Sequence, residues 1–216
     1  MPRVGRLIVL EGLDGAGKRT LSDALCAELA TRGAGVARFA FPRYEADVHA
    51  QLVRDALYGR LGDLADSVHG MALLFALDRR AAAAQLREAV ATHDVVLVDR
   101  YVASNAAYGA ARLHQDAGGE FVAWIRELEL ERFGIPAPDR QLLLAVPEAV
   151  AVERVVHRER TEAGRERDAY ESDGALQTRT AQVYSQLAEA SWLSLWTVVD
   201  GSAPLAPEGL AAQLLD

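Results

Sequence analysis

The stretch RLIVLEGLDGAGKRTLSDAL, residues 6–25, decides the fold. RLIVLE is an unbroken apolar run that ends on an acid, the pattern of a strand buried on both faces. GLDGAGK follows with three glycines in six residues. Leu21, Leu25 and Leu29 then recur every fourth residue, as along one face of a helix. Strand, glycine loop and helix in that order give a Gly-x-x-x-x-Gly-Lys pattern its mechanical context. Gly12, Gly15 and Gly17 allow the backbone to bend until successive amide N–H groups point into one hollow. The positive end of the helix and the charge of Lys18 add to that field, so the hollow suits a polyphosphate.

One residue departs from the pattern. The position after Lys18, where Ser or Thr would hold Mg²⁺, is Arg19, and Thr20 comes one place late. Phosphate binding rests on backbone amides and is untouched by the change. The metal loses its usual hydroxyl ligand, and Asp14, inside the loop, is the expected replacement.

A chain of 216 residues is expected to form one domain with a substantial core, spanning 1–216. Half of it is hydrophobic and a quarter charged, as in ordinary globular chains. No apolar run approaches the roughly 20 residues that cross a bilayer, and the N-terminal apolar stretch runs straight into the glycine loop without a cleavage site. A cytoplasmic protein with no membrane partner is expected. A net charge of −8 argues against a broad nucleic-acid surface, so any phosphate must be met in a local pocket of Arg and Lys. Cys26 is the only cysteine, which excludes an internal disulfide, and it is expected to be a buried, inert thiol. The five histidines are too far apart for a His-based metal motif.

Beyond the first helix, GAGVARFAF (33–41), VVLVD (95–99), QLLLAV (141–146) and LWTVV (195–199) read as further strands. Between them, helices are expected over 47–58, 64–90, 103–113, 119–133, from Pro147 onward, 169–190 and 204–215, with 57–63 as a glycine-broken loop. Apolar strands alternating with helices predict an α/β fold, a five-stranded parallel sheet with helices on both faces. Such sheets bind ligands at the carboxyl ends of their strands, where Asp14, Arg43, Tyr44, Asp99 and Arg100 all fall.

Several of these residues have chemistry to offer. Asp99 ends its strand as the metal-facing acid of nucleotide-binding proteins does, although a strand also ends on Asp to cap a helix. Arg100 beside it can clamp an anion. Phe75 and Arg79 lie one turn apart, a stacking plate and a guanidinium that suit a base; a core Phe with a surface Arg shows the same spacing. Asn105 and Tyr108 can read a base and a sugar, or cap and pack. Residues 153–167 carry Arg154, Arg158, Arg160, Arg165 and Arg167 among glutamates, which makes either a self-paired solvated helix or a lid that closes over a phosphoryl group.

EGLDGAGKRT, FPRY (41–44), FALDR (75–79), DRYVASNAAY (99–108) and the late Arg-rich segment, in this order and at these separations, resemble bacterial thymidylate kinase over nearly the whole chain. The resemblance implies a P-loop NTP hydrolase-like sheet, transfer of the γ-phosphoryl of ATP to dTMP with Mg²⁺, a homodimer and a short lid at about 154–167. It implies that Gly12, Leu13, Asp14, Gly15, Ala16, Gly17, Lys18, Arg19 and Thr20 hold the ATP phosphates, with Asp14 also facing dTMP and the metal. Phe75 would stack on thymine with Arg79 and Asn105 at its edge. Phe41 would line the pocket, Tyr44 and Arg100 would hold the acceptor phosphate, and Tyr108 would crowd the sugar 2′ position. Tyr170 and Glu171 would close the site, Glu171 through Mg²⁺. Lys18, Asp99 and Arg100 join the reaction. Because the loop position that carries a catalytic cation in some members is Gly15 here, Arg154, Arg158 and Arg165 are the implied lid cations. Another pyrimidine monophosphate, or a nucleotide switch, is the rival reading.

Overall fold

Five parallel strands, β1 (Arg6–Glu11), β2 (Val36–Ala40), β3 (Val95–Asp99), β4 (Arg140–Ala145) and β5 (Leu195–Asp200), form one sheet in the order β2-β3-β1-β4-β5. The computed structural model describes residues 5–147, 150, 151, 153, 154, 170, 172–204 and 206–215. The register sets Leu10 and Ala40 beside Asp99, and Glu11 beside Leu143. The carboxyl ends of β1, β2 and β3 therefore finish level. The turns that leave them, at Gly12, Phe41 and Arg100, share one rim.

Period-2 alternation along β1 divides the core between the two faces of the sheet. Leu7 and Val9 pack with α3 (Val68–Thr92), α4 (Val102–Arg112), α5 (Glu120–Arg126) and α6 (Gly174–Glu189). Ile8 and Leu10 pack on the other face with α1 (Lys18–Thr31) and α7 (Pro207–Leu215). Leu21, Leu25 and Leu29 are all fully buried there, so the stripe that marked α1 in the sequence is its core face.

The structure moves several expected boundaries. The edge strands β2 and β5 are partly exposed rather than buried on both faces, because each has a single neighbour. Helix α2 covers Val48–Leu57, with Asp47 accepting from the His49 amide as its N-cap. The long helix begins at Val68, not Leu64. Ser67 caps it by accepting from the Gly70 amide, and Gly62–Asp66 forms a 3₁₀ turn of its own across the expected junction of the loop 57–63 and the helix. The single helix expected over 119–133 is α5 followed by a π-helical turn, Glu127–Arg132. Cys26 is half-buried rather than buried, and burial raises its thiol above the usual range.

Candidate active site

The phosphate loop is shaped by three left-handed glycines, with φ of 140° at Gly12, 79° at Gly15 and 100° at Gly17. Gly12 is required twice over, because a Cβ there would also lie 2.7 Å from the Leu144 carbonyl oxygen. Lys18 is buried at the start of α1 and folds back to donate to the carbonyls of Gly12 (3.1 Å) and Leu13 (2.9 Å). Its pKa falls to about 8, through burial first and then the repelling charge of Arg100; Asp14, Asp99 and Glu11 oppose the fall. Arg19 and Thr20, next along the helix, are exposed.

Beside the loop opens a cleft. Asp14, Phe41, Tyr44, Phe75, Arg79, Arg100, Asn105, Tyr108 and Tyr170, the residues expected around dTMP, all line it. Asp14 forms the wall that loop and cleft share. Its carboxylate accepts from Arg100 Nη2 (2.5 Å) and from the Tyr108 hydroxyl (3.0 Å). Burial alone would raise the Asp14 pKa, but the charges of Arg100 and Lys18 outweigh it and hold the group well below the carboxylate range. Arg100 has φ 63°, a conformation that strains a side chain this long, and its guanidinium also donates to Ser104 Oγ. It stays charged because the neighbouring Asp14 outweighs its burial.

That strain is held by Glu11, a residue sequence reasoning passed over as the end of a strand. Glu11 is completely buried and caps α4 from across the sheet rim. It accepts from the amides of Tyr101 (2.9 Å) and Ser104 (3.2 Å) and from the hydroxyls of Ser104 (2.6 Å) and Tyr184 (2.9 Å). Four donors on one carboxylate fix the turn that presents Arg100. The available signal was an acid closing an otherwise apolar buried strand.

The part of the cleft lined by Arg79 and Asn105 is also built on buried ion pairs. Arg79 forms a two-pronged pair with Glu129 of the π-turn, at 2.6 and 2.7 Å, and Asn105 donates to the same carboxylate. Neither Arg79 nor Glu129 is a surface residue: they are 2% and 0% exposed. Burial works against the Arg79 charge, but Glu129 more than compensates and raises its pKa. Arg43, expected at the ligand-binding ends of the strands, is held by Asp78 and Asp47 and anchors the 41–44 loop, whose Phe41–Pro42 peptide is cis. Tyr108 and Tyr170 stack with ring centroids 5.8 Å apart. Arg112 donates to the Tyr170 hydroxyl (2.5 Å) and to the Ala65 carbonyl (2.6 Å), which ties the cleft's roof to the 3₁₀ turn.

Two expected groups stand apart from this cleft. Arg154 lies against the back of the phosphate loop and donates to the carbonyls of Ala16 (3.2 Å) and Gly201 (3.1 Å). Arg158, Arg165 and Glu171, with the Arg-rich lid expected over 154–167, fall outside the described residues beyond Arg154 itself. Asp99 sits close enough to Lys18 to influence its charge, and its Oδ1 is buried without a hydrogen-bond partner among the described residues. An orphaned carboxylate oxygen at the phosphate end of the sheet fits a hydrated cation that arrives with its phosphates. Both Asp14 oxygens are engaged by the protein. Among the described residues no three His, Cys, Asp or Glu side chains cluster as a metal site, and no helix is long and apolar enough to cross a membrane.

Comparison with known proteins bears on this geometry. The family model described as Thymidylate kinase matches residues 10–205. A thymidylate kinase of Mycobacterium tuberculosis (strain H37Rv) is 50% identical over 208 residues, 96% of each chain. The thymidylate kinase of Homo sapiens is 30% identical over 200 residues, covering 93% of this chain and 84% of that one. That of Leifsonia xyli subsp. xyli is 33% identical over 219 residues, 98% and 93% of the two chains.

Proposed function

The chain belongs to the thymidylate kinase family, and from that premise we propose how its cleft works. The enzyme phosphorylates dTMP to dTDP with ATP as the donor. The reading of the site rests on the wall at Asp14. Through its bonds to Arg100 and Tyr108 this one loop residue joins a polyphosphate cradle to a slot with an aromatic plate, a guanidinium and an amide. Two phosphorylated ligands seated on either side of that wall meet phosphate to phosphate.

In this reading the amides of residues 12–20 and Lys18 hold the ATP phosphates. Phe75 stacks on thymine, Arg79 and Asn105 meet its edge, and Tyr108 under Tyr170 fills the space at the sugar. Phe41 walls the slot, and Arg100 with Tyr44 seats the acceptor phosphate. An oxygen of that phosphate attacks the γ-phosphorus as the bond to the bridging oxygen of ADP breaks. The attacking oxygen is already anionic, so no side chain has to remove a proton from it. The protein's work is alignment and charge neutralisation. Lys18 and Arg100 share the developing charge from opposite sides, and Arg154, Arg158 and Arg165 are the candidates to add to it from the lid. Mg²⁺, when bound, neutralises charge on the β- and γ-phosphates; Asp99 is the residue whose orphaned oxygen suits it, with Asp14 and Glu171 as the other candidates. A single domain over 1–216, a homodimer and a cytoplasmic location complete the proposal.

Coupled ADP release with ATP, Mg²⁺ and each monophosphate in turn tests it. Rapid turnover with dTMP and little with dCMP is expected. Nucleotide hydrolysis that ignores dTMP overturns the reading.

A further inference from the structure

The base end of the cleft has a polarity, and we infer that Glu129 is the positioning residue that sets it. The inference rests on the reading of this cleft as the dTMP site. It follows from counting hydrogens. Asn105 Nδ2 has two, and it donates to Glu129 Oε1 at 2.8 Å and to the Ala72 carbonyl at 2.9 Å. A carboxylate paired with a guanidinium and a backbone carbonyl can only accept. The Asn105 amide is therefore fixed in one orientation by chemistry, and Oδ1, an acceptor, is the end left for a ligand. Arg79 donates to the same carboxylate through Nε and Nη2, which leaves Nη1, a donor.

One buried acid thus sets a donor on α3 and, with the Ala72 carbonyl, an acceptor on α4, both on residues that line the cleft. Thymine offers the complement along its imide edge, with N3–H to donate and the 4-carbonyl to accept. Cytosine reverses both groups: N3 accepts and the 4-amine donates. Acceptor would face acceptor and donor would face donor. A buried polar group left without a partner is what allows such a site to reject an analogue strongly. Uracil shares the imide edge of thymine, so Glu129 separates the imide bases from cytosine and does not separate thymine from uracil.

The π-turn brings Glu129 to this position. Phe133 N donates to the Leu128 carbonyl and Ile135 N to the Glu129 carbonyl, each at 2.9 Å, which closes the widened turn, and the bonds of Glu129 to Arg79 and Asn105 tie it to α3 and α4. Such turns are rare and are often found where a helix serves a site. Glu129 touches no ligand and acts through two side chains that do.

The test is Glu129→Gln, assayed with dTMP, dUMP and dCMP. Glutamine keeps one acceptor oxygen and sets an NH₂ in place of the other, so it cannot accept from both Arg79 nitrogens and from Asn105 at once. The side chains that face the base lose their fixed orientation, even though the Ala72 carbonyl still holds one Asn105 hydrogen. The dTMP-to-dCMP ratio of kcat/KM is expected to fall about tenfold or more, the worth of one mismatched buried hydrogen bond. The dTMP-to-dUMP ratio is expected to hold, as is ATP affinity. Equal losses for all three substrates, or an unchanged dCMP ratio in a wild type that discriminates, overturn the role of Glu129 alone. A wild type that takes dCMP as readily as dTMP overturns the reading of the cleft, and this inference with it. If Glu129→Gln does not fold, solvent exchange of the Asn105 side-chain amide in the nucleotide-free wild type, read by NMR, decides. Slow exchange of both protons is expected, and rapid exchange overturns the assignment.

Discussion

In the proposed site, consecutive residues 12–20 supply the cradle at the phosphate end of the cleft, and most of its donors are backbone amides. At the base end, Phe41, Phe75, Asn105 and Glu129 come from a loop, two helices and a π-turn spread along 89 residues of chain. The first end is shaped by glycine conformations; the second is held by side chains in buried ion pairs. A backbone cradle tolerates changes in the side chains around it. A slot assembled from distant side chains is only as good as the contacts that hold each one. Perturbations should therefore separate the two ends, and Arg100, at their junction, should give the largest response.

Arg100→Ala removes the group proposed to seat the acceptor phosphate while leaving the loop amides in place. The expected loss in kcat/KM for dTMP is about 3 kcal/mol or more, roughly a hundredfold, as for other groups that stabilise transferring charge. ATP affinity should change far less. Steady-state kinetics with direct ATP titration reads both. A loss below tenfold would mean that the acceptor phosphate sits on other groups, and the contrast between the ends would lose its hinge.

The contrast also explains what the sequence could and could not say. The loop was legible because its mechanism is local: three glycines, a lysine and the flanking strand and helix are read in one window. The sheet was legible because β1, β3 and β4 are buried apolar runs. Phe75 and Arg79 were visible as a pair one turn apart, but spacing could not tell a base site from a core Phe with a surface Arg. What spacing could not show is that Arg79 is buried against Glu129, 50 residues away, and nothing in ELELER marks which of its acids turns inward. Glu11 was hidden for a related reason: its partners lie 90 to 173 residues along the chain. The start of α3 was misplaced because Leu64 continues the apolar period, whereas Ser67 ends it with a cap that depends on geometry.

A second perturbation should act on the base end alone. Gly109 lies in α4 where a Cβ would intrude on the Phe121 ring of α5. Gly109→Ala gains helix propensity worth up to about 1 kcal/mol. Overpacking against a buried ring costs about 1–3 kcal/mol, and since Phe121 is 2% exposed it has little room to yield, so the cost should win. Urea unfolding should show a net loss. Because α4 carries Asn105 and Tyr108, the KM for dTMP should rise while ATP affinity stays near wild type. Equal weakening of both substrates would show that the two ends share one rigid frame.

The smallest effect belongs to the phosphate end and depends on pH. Lys18 titrates at about 8 in the nucleotide-free protein, lowered by burial and by Arg100. Phosphate favours its protonated form, so binding must raise that pKa, and nucleotide binds with uptake of a proton above pH 8. Below that pH the lysine is already charged and affinity should be flat on its account. Above it, each pH unit should weaken ATP binding towards tenfold, or about tenfold in total between pH 7 and pH 9. Calorimetry in buffers of different ionisation enthalpy measures the proton uptake directly. In Lys18→Arg, whose guanidinium does not deprotonate in this range, the dependence above pH 8 should vanish. In Arg100→Ala, which removes the repelling charge, it should move to higher pH. A dependence that survives Lys18→Arg would assign the titration to another group, and the phosphate end would then owe its charge to something other than its one buried lysine.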